Sequence, residues 1–119
     1  MKQFKLFTLL AMTMLLSACA HAPRPLYNWD QYQSVIYQNM QGDETSVEEQ
    51  ISALEKNQQE ASAKGQAVPP GFHAHLGMLY AQLGKEDQTR QQFEVEKRLF
   101  PESAPFMNFL MSNKKGATK

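Results

Sequence analysis

The sequence predicts an all-α protein, with two stacked helical hairpins and a short C-terminal helix behind an apolar leader. Three observations predict it. Apolar residues recur at three- and four-residue spacing from Tyr27 onward. Glycine and proline interrupt that pattern where helices would end, at Gly42, Gly65, Pro69, Gly84 and Pro101. No stretch alternates apolar and polar residues as a half-buried strand would. With 119 residues there is room for one domain.

The leader reads MKQFKLFTLLAMTMLLSAC. Lys2 and Lys5 precede an apolar run from Leu6 to Leu16. The run falls short of the ~20 residues of a spanning helix, and it fits a secretory signal over residues 1–18. Leu16-Ser17-Ala18-Cys19 resembles the bacterial lipobox, in which small residues admit the peptidase and the cysteine thiol takes a lipid. Cys19 is the one cysteine of the chain, so no internal disulfide can form, and lipidation accounts for it. The resemblance implies three acyl chains on Cys19. At about 0.8 kcal/mol per buried methylene they would anchor the chain irreversibly to lipid. Ala20 follows the cysteine where aspartate would signal retention, which implies the outer membrane, periplasmic face. After cleavage, 10 basic residues stand against 12 acidic, a formal charge of −2, which does not favour nucleic acid.

Each element has its reason. Residues 19–26 hold two prolines and no periodicity, and read as a lipidated tether in which His21 is solvated. From Tyr27, the residues Trp29, Tyr32, Ile36 and Met40 share one helical face of about 80°, and Gly42 ends that helix. Ser46-Val47-Glu48-Glu49 fits a capping box that starts a second helix reaching Lys64, its far end around Asn57 polar and solvated. Gly65 suits a C-cap, and Pro70 could open a third helix running to Leu83. A fourth spans about 86–100 and stops at Pro101. A last short helix covers about 104–112, and 113–119 read as a disordered tail. The folded domain is therefore expected over 27–112.

The third and fourth helices resemble a tetratricopeptide unit, W-x2-L-G-x2-Y, then A-x3-F, then P. Here the pattern is His73-x2-Leu76-Gly77-x2-Tyr80, then Thr89-x3-Phe93, then Pro101. Leu76 and Tyr80 are expected to bury against the paired helix. Gly77 lets the backbones approach, and Phe93 fills the groove. Glu96 is a charge on the Phe93 side, and His73 and Thr89 depart from the pattern, so the unit is degenerate. Trp29-x2-Tyr32-x3-Ile36 repeats the spacing 44 residues earlier, with Gln33 in the glycine's place. His73 and His75 look like a metal pair, but residues two apart on a helix diverge by about 160°. His73 is expected inside and His75 outside with Gln82, with no metal and no cofactor beyond the lipid.

The chain is similar to an uncharacterised family of small bacterial lipoproteins, domain of unknown function number 4810. The residues that carry this are Cys19, LYNWDQY (Leu26 to Tyr32), VEEQI (Val47 to Ile51), PPGFHAHLGMLY (Pro69 to Tyr80) and FPESAPFMNFL (Phe100 to Leu110). The resemblance implies an accessory lipoprotein, typically encoded beside one like the curli secretion pore-former, and hence a subunit of an outer-membrane lipoprotein complex. The residues supply no catalytic motif: no free thiol, no glycine-rich phosphate loop, and glutamates spaced as a solvated surface. Candidate partner-binding residues are Tyr27 beside the tether, and Met107 or Met111 in the apolar C-terminal helix, with Trp29 expected in the core. A cell-wall role, binding peptidoglycan or a peptide, is the alternative. Oligomeric state stays open.

Overall fold

Helix breakers and caps divide the chain in the order expected. In the computed structural model, which describes residues 1–16, 23–42 and 45–113, the helices are α1 (Lys2–Leu16), α2 (Asp30–Gln41), α3 (Val47–Ala63), α4 (Phe72–Gln82), α5 (Glu86–Leu99) and α6 (Ala104–Asn113). A single 3-10 turn, Pro101–Ser103, joins the last two. Among the described residues there is no strand, only an isolated bridge between Tyr27 and Ala67. No helix among them is long and apolar enough to cross a membrane. Cys19, His21 and the tail from 114 lie outside the described residues.

The start of α3 follows the capping box as written in the sequence. The Ser46 hydroxyl accepts from the Glu49 amide at 3.2 Å, and the Glu49 carboxylate accepts from the Ser46 amide at 3.3 Å. α4 begins at Phe72 and not at Pro70, because Gly71 turns the chain there with φ +89°. A Cβ at Gly71 would also lie 2.9 Å from the Tyr32 hydroxyl. The turn therefore needs glycine on two counts.

From α2 onward each helix packs mainly on its chain neighbour, α2 on α3, α3 on α4, α4 on α5 and α5 on α6. The main core lies where the first hairpin meets α4, built from Val35, Ile51, Leu54, Ala61, Val68, Phe72, Leu76, Leu79 and Tyr80. Phe93 and Met107 are buried on the other side of α4 and under α6. The α4–α5 crossing is close: a Cβ on Gly77 would fall 2.7 Å from Cε1 of Phe93.

Three expectations are corrected. α2 starts at Asp30, because Tyr27 and Asn28 are held in the bridge to Ala67, the Asn28 amide donating to the Ala67 carbonyl at 2.8 Å. Its buried face is centred on Val35, about a quarter turn from the expected stripe. Ile36 is only partly buried, while Trp29 is 43 % and Met40 82 % exposed. The far end of α3 is not solvated, since Asn57 and Ala61 are fully buried.

Candidate functional site

Two regions expose large apolar side chains: the corner around Tyr27 and Trp29 before α2, and the outer side of α6. The corner is built around Asn28 and Asn57. The Asn57 Oδ1 accepts from the amides of Gln31 and Tyr32 at 2.9 and 3.2 Å, so α3 caps the start of α2. Its Nδ2 donates to Asn28 Oδ1 at 2.9 Å. Asn28 in turn accepts from the Asp30 amide and donates to Gln66 Oε1. Every side-chain polar atom of this buried pair is engaged, as burial requires.

Over that network lies an open cleft of about 430 Å3, lined by Pro25, Tyr27, Asn28, Trp29, Asp30, Lys64 and Gln66. Lys64 and Asp30 face each other at 3.5 Å, an exposed pair that adds little stability. Aromatic rings run from the corner into the core: Phe100 to Tyr27 and Tyr27 to Trp29 at 6.3 Å, Trp29 to Tyr32 at 6.2 Å, Tyr32 to Phe72 at 5.5 Å. Tyr27 is the more enclosed of the two tether-side aromatics and Trp29 the more exposed, the reverse of expectation. Tyr27 is held between Trp29 and Phe100, whereas Trp29 stands at the N-cap of α2 with one side to solvent.

On α6 the structure exchanges the expected partner residues. Met107 is 1 % exposed, closed under the helix, and Met111 is half-buried. The side chains that reach solvent are Phe106 and Phe109, each 55 % exposed. Helical geometry accounts for this: with Met107 turned inward, its neighbours one before and two after turn out.

The histidines do not converge. His73 is buried, and its Nδ1 lies 2.7 Å from Gln92 Oε1, so the Nδ1–H form donates to it. His75 does not face solvent as expected. Its ring packs on Tyr32 at 6.4 Å, its Nε2 is buried without a partner, and burial lowers its pKa from the usual histidine value. Among the described residues no group of three His, Cys, Asp or Glu side chains could hold a metal ion.

Glu96 is the other polar group that sequence reasoning misplaced. It is 2 % exposed and is not a surface charge. Its Oε1 accepts from the Gly71 amide at 2.6 Å and its Oε2 from the Ala74 amide at 3.3 Å. It thus caps α4, whose own N-cap is a glycine with no side chain. Glu55 accepts from the Tyr80 hydroxyl, and burial together with that carboxylate pushes the phenol up to about 12. The signal for Asn57 and Glu96 was there: each keeps the helical phase of a core residue three positions earlier, Leu54 and Phe93.

A search of curated proteins and one of solved structures each return no match to this chain. A family model does match, described as Domain of unknown function (DUF4810), over residues 26–110. That span opens at the corner before α2, closes within α6, and takes in the Asn28–Asn57 network, the histidines and Glu96. The chain belongs to the DUF4810 family.

Proposed function

We propose that this protein is a lipoprotein held by acyl chains on Cys19 in the outer membrane, facing the periplasm. It works by contact with other envelope proteins and not by catalysis. Its partner would be a lipoprotein like the curli secretion pore-former, in a complex that assembles or exports other proteins. The observation that carries this reading is the lipobox-like Leu16-Ser17-Ala18-Cys19 set just before an anchored corner. Seven residues, Ala20 to Leu26, separate Cys19 from Tyr27, where the fold first grips the chain. At full extension they span roughly 25 Å. The aromatic corner would therefore stay close to the lipid surface, where tyrosine and tryptophan are favoured. Exposed Trp29, Phe106 and Phe109 supply contact area of the kind interfaces use.

Fractionation of cells expressing Cys19→Ser tests the anchor. The expected result is loss of the protein from the membrane fraction, and retention there would refute the anchor. Photo-cross-linking in living cells from positions 29 and 106 tests the partner. Recovery of a curli-pore-like lipoprotein from either position supports the reading. Sacculus fragments captured in its place would favour cell-wall binding instead.

A further inference from the structure

Helices α2 to α5 each bring one end to the place where the tether enters. α2 starts there, and α3 ends there with Lys64 3.5 Å from Asp30. α4 starts there, its Gly71 turn close to the Tyr32 hydroxyl in the first turn of α2. α5 ends there, where Phe100 packs on Tyr27 at 6.3 Å. Leu26 and Leu99 flank that aromatic contact, one residue before each ring, and they are 74 % and 50 % exposed. Trp29 packs on Tyr27 with its other side open. Three large apolar side chains therefore stand open at this end of the helices.

The two ends also differ in charge. At the tether end Asp30 pairs with Lys64 and Glu94 with Lys97, and Glu96 is spent on the start of α4. Among the described residues that leaves Arg24 and Arg98 outside ion pairs, against Glu102. At the other end the first turns of α3 and α5 carry Glu48, Glu49, Glu86 and Asp87, against Lys85. The far end is acidic and the tether end is not.

The tether decides which end meets lipid. From Cys19 to Tyr27 it spans roughly 25 Å at full extension. α3, with 17 residues, is itself about 25 Å long. The tether end therefore stays within reach of the anchoring surface in every tether conformation. The far end meets that surface only with the tether stretched along the whole domain. A short flexible link also holds the two at an effective concentration of about 1 mM, so a weak contact is enough.

We infer that this end of the fold docks on the phospholipid surface that holds the acyl chains. Leu26, Trp29 and Leu99 sit at the boundary between headgroups and acyl chains, with Arg24 and Arg98 beside the lipid phosphates. The inference rests on the anchor proposed above. Tryptophan suits that boundary because its ring is apolar while its N–H can stay hydrated. Arginine suits it because its stem lies along apolar surface while its head stays among polar groups. Docked in this way, the domain keeps its acidic end away from the lipid and leaves the outer side of α6 to a protein partner.

Trp29 is the one tryptophan of the chain, so its emission reports this contact directly. The full-length chain is extracted in detergent and reconstituted into vesicles of phosphatidylcholine and phosphatidylglycerol, with or without bromine on the acyl chains near the headgroups. Flotation that Cys19→Ser abolishes reads the anchor, and Trp29 emission reads the docking. The expected emission is shifted to shorter wavelength, quenched by bromine and protected from acrylamide. Trp29→Phe with Met40→Trp moves the probe to the other end of α2, where emission should stay open to acrylamide and indifferent to bromine. Leu26→Ser with Leu99→Ser should lose the bromine quenching of Trp29 and keep the parent's melting curve by circular dichroism, both positions being exposed. A chain that floats but leaves Trp29 open to acrylamide overturns the docking and leaves the anchor standing. Equal quenching at positions 29 and 40 also overturns it, as does undiminished quenching in the double serine variant. Flotation that does not depend on Cys19 refutes the anchor. The free thiol is then coupled to a maleimide-bearing lipid in the same vesicles, and the same Trp29 readings decide the docking.

Discussion

The two hairpins solve one problem with different chemistry. In each, the first helix begins without a side-chain cap of its own, at Trp29 for α2 and at Gly71 for α4. In each, a buried polar side chain of the second helix reaches across and accepts from two amides of that start. Asn57 serves the Gln31 and Tyr32 amides, and Glu96 serves those of Gly71 and Ala74. The difference lies in what else each cap holds. Asn57 has a donor to spare, and uses it on Asn28, which ties the tether-side chain to Gln66 and Ala67. Glu96 has no donor to share, and sets a full negative charge on the positive end of α4. The amide cap thus joins the entering chain to the fold, while the carboxylate cap serves its own hairpin. Packing differs in the same direction. The second hairpin closes over Gly77 onto Phe93, whereas the first has Gln33 at the matching position, exposed to solvent.

The largest effects should come from the tight crossing. Phe93→Ala removes a 3 % exposed ring and is expected to cost about 3–5 kcal/mol of unfolding free energy in denaturant titration. Gly77→Ala is expected to cost about 1–3 kcal/mol from overpacking, even though alanine favours a helix by about 1 kcal/mol over glycine. In the Phe93→Ala background the added methyl finds space, and Gly77→Ala should become neutral or stabilising. That coupling is the signature of direct contact. Gln33→Ala, at the matching point of the first hairpin, should stay within about 0.5 kcal/mol of the parent. Additive behaviour of Gly77 and Phe93 would break the contrast.

The caps come next. Asn57→Ala takes the side-chain acceptor from the Gln31 amide and leaves the Tyr32 amide with only the Trp29 carbonyl, and Glu96→Ala removes the acceptor of two amides of α4. Each should cost about 1–3 kcal/mol. The conservative exchanges separate the two. Glu96→Gln keeps an acceptor toward Gly71 at 2.6 Å and loses the charge and the longer bond from Ala74 at 3.3 Å, so it should be the mildest of the four. Asn57→Asp keeps the cap but turns an oxygen toward Asn28 Oδ1, which is an acceptor already, so its cost should exceed that of Glu96→Gln. If Asn57→Asp proves the milder, the link from Asn57 to the tether contributes nothing.

Much of this fold was legible because its strongest signals are local. The capping box at Ser46 and Glu49, the stop at Pro101 and the Leu76-Gly77-Tyr80 face are each written within a few residues, and the structure bears them out. The all-α architecture and the family followed from those stretches. What escaped depends on partners far along the chain. The α2 stripe Trp29, Tyr32, Ile36 and Met40 is a valid apolar arc, but α3 and α4 approach from the Val35 side, and periodicity alone cannot tell which part of a broad arc is chosen. Asn57 reads as a surface residue because a polar side chain on a helix usually is one, and Glu96, although on the Phe93 side, counts among glutamates spaced as a solvated surface. The caps they form lie more than 20 residues away, at 26 and 25 respectively. On α6 nearly every side is apolar, so the sequence could not say which residues would reach solvent. The burial of Met107 decided for Phe106 and Phe109.

The smallest effect is also the one that reports on the joint between the hairpins. His75 stands on α4 with its ring against Tyr32 of α2, and its Nε2 is buried with no partner. Burial favours the neutral ring, so its folded pKa lies below the usual histidine value near 6.5, which the unfolded chain retains. Above about pH 6.5 both states are neutral at this residue, and the fold keeps the full benefit. As pH falls below that value the unfolded chain takes up a proton that the folded one resists, and stability declines until the folded pKa is passed. His75→Leu removes both the titration and the orphan nitrogen. Its unfolding free energy should match or exceed the parent's at pH 7.5 and change less between pH 6.5 and pH 5, measured against the parent in the same buffers. A parent and variant that lose stability in parallel over that interval would place the acid sensitivity elsewhere and leave the joint between the hairpins indifferent to pH.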